Sequence, residues 1–133
     1  MIFRVLYFSS NSNSFEKARL EHLSNISLEN SHHSAVAEEY EQFLNCNLSS
    51  LTLKLSSEPH VKERSFRLFS WYNRHATYCS DDDTFELKIE YLKFDEDELI
   101  NDILSLGDRA VVVSPDRIKN IVLEHINRAY AQY

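Results

Sequence analysis

The sequence predicts an α+β fold built mainly on one four-stranded sheet, and three observations carry that reading. Leu51, Leu53 and Leu55 alternate with Thr52 and Lys54, and Phe85, Leu87, Ile89 and Tyr91 alternate with Glu86, Lys88 and Glu90. This period of two gives each strand one apolar and one polar face. Around these strands lie stretches whose apolar residues recur three and four apart, the spacing of a half-buried helix. The only glycine among 133 residues, Gly107, stands where a helix must stop before a strand begins, a position suited to a residue that adopts positive φ freely.

Taken in order, residues 2–8 (IFRVLYF) are rich in β-branched and aromatic types and predict a strand. SSNSNS (9–14) is a polar turn, because these side chains bond their own backbone. KARLEHLSNISL (17–28) places Ala18, Leu20 and His22 on one side and Arg19, Glu21 and Leu23 on the other, predicting a second strand. Ser34 can N-cap a helix to about Leu44, with Val36, Tyr40, Phe43 and Leu44 on one face. Cys46-Asn47 ends it.

A strand follows from residue 49. Ser57 and Pro59 start a helix whose apolar face is Val61, Leu68, Phe69 and Tyr72. His75–Ser80 is a short strand, Asp81–Asp83 a turn, and Thr84–Phe94 the strongest strand of the chain. Asp95 and Glu98 stand in the spacing of a capping box, ahead of a helix carrying Leu99, Ile100, Ile103, Leu104 and Leu106. After Gly107 come the strand Ala110–Val113 and a Ser114-Pro115 start to a last helix with Ile118, Ile121, Val122, Ala129 and Tyr130 on one face.

Residues 49–114 therefore spell β-α-β-β-α-β, a ferredoxin-like arrangement with an extra C-terminal helix, preceded by a short β-β-α segment. The expected division is 1–47 and 48–133. Such a sheet has helices on one face and leaves the other bare for a partner.

Composition narrows the function. Hydrophobic residues at 43% and charged residues at 26% are ordinary for a globular chain, and no stretch approaches the roughly 18–20 apolar residues that cross a bilayer. Lys and Arg number 14 against 21 Asp and Glu, a formal charge of −7, which repels phosphate backbones and disfavours a dedicated DNA-gripping module. Cys46 and Cys79 lack CxxC spacing and the density of a secreted scaffold, so reduced thiols in a cytoplasmic protein are expected. The chain begins directly in a strand, as a piece of a longer protein would.

ELINDILSLGDRAVVVSPDRIKNIVLEHINRAY strongly resembles the C-terminal extension of WYL-domain transcriptional regulators. There a helix ends in a "wLlslG" turn, a strand carries "aeVlsP", and "eeLr" opens a last helix. The matching residues are Ile103, Leu104, Ser105, Leu106, Gly107, Val111–Val113, Ser114, Pro115, Asp116, Arg117 and Ile118. Upstream, Lys17, Arg19, Leu20, Glu21, His22 and Leu23 are similar to the family's "r.frLdRI..l" strand, the last of the WYL domain. The helix around Tyr40 resembles the connector.

The resemblance implies a remnant of a WYL (Sm-like) domain and connector over 1–47, and the extension over 48–133. It implies a non-enzymatic bacterial regulator that senses an effector and forms a homodimer, its DNA contact supplied by an N-terminal winged helix outside this sequence. A nucleotide or nucleic-acid effector would come to Lys17, Arg19 and His22. Where the family has Asp-Arg this chain has Glu21-His22, and His is a far poorer anion clamp than the fixed, forked cation of Arg.

The remaining motifs read mostly as structure. His32-His33 are adjacent and cannot both face one metal from a regular helix, and His60, His75 and His125 are scattered, so no metal is expected. Asp81-Asp82-Asp83 lacks the glycine and terminal Glu of a calcium loop. The carboxylates at 95–98 complement a helix start rather than form an acid–base pair. Cys46 and Cys79 have no base at a fitting offset. No catalytic residue or cofactor is expected. Arg64, Arg67 and Trp71, at i, i+3 and i+7, are the interface candidate, although the ordinary charged outer face of an amphipathic helix explains them more simply. The alternatives to the regulator are a small-molecule-binding or enzymatic ferredoxin-like domain, and a truncated chain serving protein–protein contact.

Overall fold

The computed structural model of the chain describes residues 4–9, 12, 14–27 and 34–133. It is α+β, with two antiparallel sheets and four α-helices among the described residues. The chain divides into two compact units, Met1–Asn47 and Leu48–Tyr133.

In the first unit, β1 (Arg4–Ser9) pairs antiparallel with β2 (Ser14–Arg19), from Ser9 opposite Ser14 to Arg4 opposite Arg19. The expected strand over 17–28 is corrected: β2 begins at Ser14 and ends at Arg19, and Leu20–His22 forms a 3-10 turn. The alternation of KARLEHL continues, but among the described residues the ladder to β1 ends at the Arg4–Arg19 pair, and the chain turns after it. α1 (Ser34–Asn47) runs beyond the expected end near Leu44. Phe15 joins hairpin to helix, its ring centroid 5.0 Å from Phe43, 5.5 Å from Tyr40 and 5.3 Å from Phe8.

The second unit holds β3 (Leu48–Ser56), α2 (Pro59–Leu68), β4 (Asn73–Cys79), β5 (Thr84–Leu92), α3 (Glu96–Leu104), β6 (Ala110–Ser114) and α4 (Asp116–Tyr130). Its strand order is β4-β5-β3-β6, every neighbouring pair antiparallel. The apolar sides of β3 and β5 meet the helices: Leu51, Leu53, Leu55, Leu87, Ile89 and Tyr91 are buried with Phe69, Leu99, Ile103, Val112 and Ile118. The other side of these strands carries Thr52, Lys54, Glu86, Lys88 and Glu90, so the face turned away from these helices is polar.

Several local expectations are corrected here. α2 ends at Leu68, so Trp71 and Tyr72 lie in the turn entering β4 and not on the helix. Phe69 is still buried, as the helix C-cap, and the Arg74 guanidinium donates to its carbonyl oxygen at 3.1 Å. β5 stops at Leu92 instead of Phe94 because Lys93–Asp95 turns as a 3-10 helix. That turn holds Asp95 at φ −92° and ψ −2°, and its side chain makes no cap hydrogen bond, so the capping box does not form. Nor does a side chain cap α4, whose N-cap position is Pro115, and Tyr130 is 81% exposed instead of packed.

Gly107 has φ +61° and follows α3 at the turn into β6. An added Cβ there meets nothing within 4 Å, so the cost of a side chain is conformational. Gly107→Ala is expected to lose about 1 kcal/mol of stability, the penalty of left-handed backbone for an L-residue; chemical denaturation measures it. No change would mean that the turn does not need a glycine.

Candidate interaction surfaces

Three of the carboxylates that stood out in the sequence, Asp82, Asp83 and Glu96, are engaged in structural pairs. The Lys54 ammonium and the Thr84 hydroxyl both donate to Asp82. Tyr78 and Ser57 hydroxyls donate to Asp83 at 2.6 and 2.9 Å. Donation to a carboxylate favours its charged form. Lys54 therefore holds Asp82, and Tyr78 holds Asp83, below the usual aspartate range. These bonds fix the β4–β5 turn, where Asp83 adopts φ 51°.

At the start of α3, Arg117 grips Glu96 with two hydrogen bonds of 2.7 Å, and the Tyr91 hydroxyl donates to the same carboxylate at 3.1 Å. The Arg117 bonds chiefly hold the Glu96 carboxyl below its ordinary range. This ties α3 to α4. Glu58 similarly accepts from Arg109 and lies 3.2 Å from His60.

The residues expected to receive an anionic effector sit around β2 and the turn after it. Lys17 is half-buried on β2, opposite Leu6. Arg19 lies 3.6 Å and His22 3.8 Å from the Glu21 carboxylate, so the chain's own anion stands beside both expected anion-binding side chains. A shallow depression in the first unit is lined by Phe8, Phe15 and Phe43 with Ser14, Glu39, Gln42 and Cys46. His32-His33 lies outside the described residues. Among the described residues, no group of three or more His, Cys, Asp or Glu is arranged to hold a metal, and no helix is long and apolar enough to cross a membrane.

Arg64 and Arg67 are exposed on α2, but Trp71, 55% exposed, stands beyond the helix end. The three therefore do not share a helix face. Lys62 and Phe66 occupy the opposite flank of α2, where the Lys62 ammonium lies 4.7 Å from the Phe85 centroid.

Two surfaces that local spacing did not single out emerge from the strand order. Among the described residues β6 is an edge strand, and its Val111 and Val113 are 54% and 45% exposed. On α4, which follows it directly, Leu123, Ile126 and Tyr130 form an exposed stripe at i, i+3 and i+7. β4 is the other edge. Strand order depends on which distant segments pair, so no window of the sequence could reveal either surface.

Compared with known proteins, the chain matches no family model and no curated protein.

Proposed function

We propose that the chain is a non-enzymatic regulatory and dimerisation module, the C-terminal part of a WYL-type bacterial transcriptional regulator, whose DNA contact is made by a winged helix elsewhere in the protein. The block from Ile103 to Ile118, with its glycine, apolar strand and Ser-Pro at family-like offsets, supports the regulator reading. The second unit is, in the same proposal, a ferredoxin-like domain. Its chain order β-α-β-β-α-β and antiparallel order β4-β5-β3-β6 support that reading.

The observation that carries dimerisation is the apolar edge. An edge strand presents unpaired N–H and C=O groups, and natural edges are commonly blunted by Lys, Pro or charge. Within AVVVS there is no charge or proline, and two valines face water. An antiparallel strand is its own complement across a two-fold axis, so β6 of one copy pairs with β6 of another. The valines and the Leu123–Ile126–Tyr130 stripe then lose water contact together.

Sedimentation velocity on the full chain and on Val111→Lys/Val113→Lys tests this. The substitution is expected to weaken self-association by roughly a hundredfold, since two ammonium groups must be desolvated in place of two apolar side chains, while thermal melting of the monomer is nearly unchanged. Equal association constants for the two proteins would refute the proposal.

A further inference from the structure

We propose that the outer edge of β4, with the aromatic and cationic shelf beside it, docks an extended acidic segment of another protein as an added strand. This goes beyond the dimer, which uses the opposite edge of the sheet, and does not depend on it.

Three observations point there. β4 pairs with β5 over seven consecutive residues, from Asn73 opposite Glu90 to Cys79 opposite Thr84, without a bulge. Its other edge carries no strand among the described residues. A regular, unpaired edge offers alternating donors and acceptors at the spacing of a peptide backbone, which a phosphodiester chain does not match.

Next, every residue from Asn73 to Tyr78 is exposed. Arg74, Ala76 and Tyr78 lie opposite the core residues Ile89 and Leu87 and the partly buried Phe85, yet all three are exposed. Beside them is a shelf of rings: Tyr78 lies 5.2 Å from Phe85, and Phe66 has the Arg74 guanidinium at 5.7 Å and the Lys62 ammonium at 5.8 Å.

The third observation is charge. Residues 59–79 hold four Lys and Arg (Lys62, Arg64, Arg67, Arg74) against one Glu, whereas the rest of the chain holds ten against twenty. None of the four makes an ion pair among the described residues, in contrast to Lys54, Arg109 and Arg117. Backbone pairing would supply affinity and register. Alternate side chains of the incoming strand would face Lys62 and Arg74, selecting carboxylates.

The test titrates the full chain with acetyl-Glu-Val-Glu-Val-Glu-Val-Glu-amide. It follows the fluorescence of Trp71, the only tryptophan, at the entrance to β4, and the hydrogen exchange of β4 amides. Saturable binding is expected, with protection of alternate β4 amides. Lys62→Gln/Arg74→Gln should weaken it at least tenfold, and Lys119→Gln/Arg128→Gln, which removes the same charge on α4, less than twofold. The peptide N-methylated at every amide should not bind. Should Arg74→Gln unfold the chain, as a circular-dichroism melt would reveal, Lys62→Gln alone should weaken binding about threefold. Five results would each overturn the proposal: equal losses in the two double variants, undiminished binding of the N-methylated peptide, equal binding of the Lys-Val counterpart, equal or tighter binding of an oligothymidylate, or self-association that Lys62→Gln/Arg74→Gln abolishes.

Discussion

Replacing Phe69 by Ala is expected to cost the second unit about 4 kcal/mol, the loss typical of deleting a fully buried ring and leaving part of its volume empty. Phe69 is 0% exposed and packs in the cluster that includes Leu53, Leu87 and Ile89. It also ends α2, and its carbonyl receives Arg74. A domain of this size has a total stability of about 5–15 kcal/mol, so one substitution removes a large share of it. The melting temperature should fall by about 20 °C. A fall under about 5 °C would mean that this ring does not hold helix to sheet.

Glu96→Gln is the second large effect, and its size depends on pH. The native carboxyl is held below its unfolded range by Arg117. A depressed carboxylate contributes stability that is complete above the unfolded value, near 4.5, and is lost as pH falls through the lower native value. At pH 7 the amide forfeits the charged hydrogen bonds, worth about 1.5 kcal/mol because Arg117 is well solvated. Urea denaturation should therefore separate wild type from Glu96→Gln at pH 7 and by less at an acid pH below the usual glutamate range. A gap that is the same at both values would mean that the Glu96–Arg117 contact adds nothing.

The strands that line the core were legible because burial on one side forces a period of two. Leu51, Leu53 and Leu55, and Leu87, Ile89 and Tyr91, are buried on the side their spacing indicates. Gly107 was legible for a different reason: positive φ is cheap only without a Cβ, and the position takes φ +61°.

Elsewhere the local pattern lacked the deciding term. KARLEHL alternates past Arg19, but alternation alone does not hold a strand, and the chain turns as a 3-10 helix at Leu20–His22. Asp95 and Glu98 have capping-box spacing, yet the strand exit bends through Lys93–Asp95 and leaves Asp95 in helical backbone. The acidic start of α3 instead finds Arg117, 21 residues away, a pairing set by how α3 and α4 pack. Arg64, Arg67 and Trp71 shared a helical spacing but not a helix, because α2 stops at Leu68. The exposed β4 has no periodicity to read. Its use as an edge, like that of β6, follows from a strand order assembled over the whole second unit.

Sedimentation equilibrium of the unaltered chain, over a roughly hundredfold range of concentration that brackets micromolar affinity, puts self-pairing through β6 to the hardest test. The weight-average mass should rise from that of one 15.6 kDa chain to that of two and level off there. A mass that stays at one chain throughout, or climbs past two without a plateau, would contradict a closed pair built on this strand.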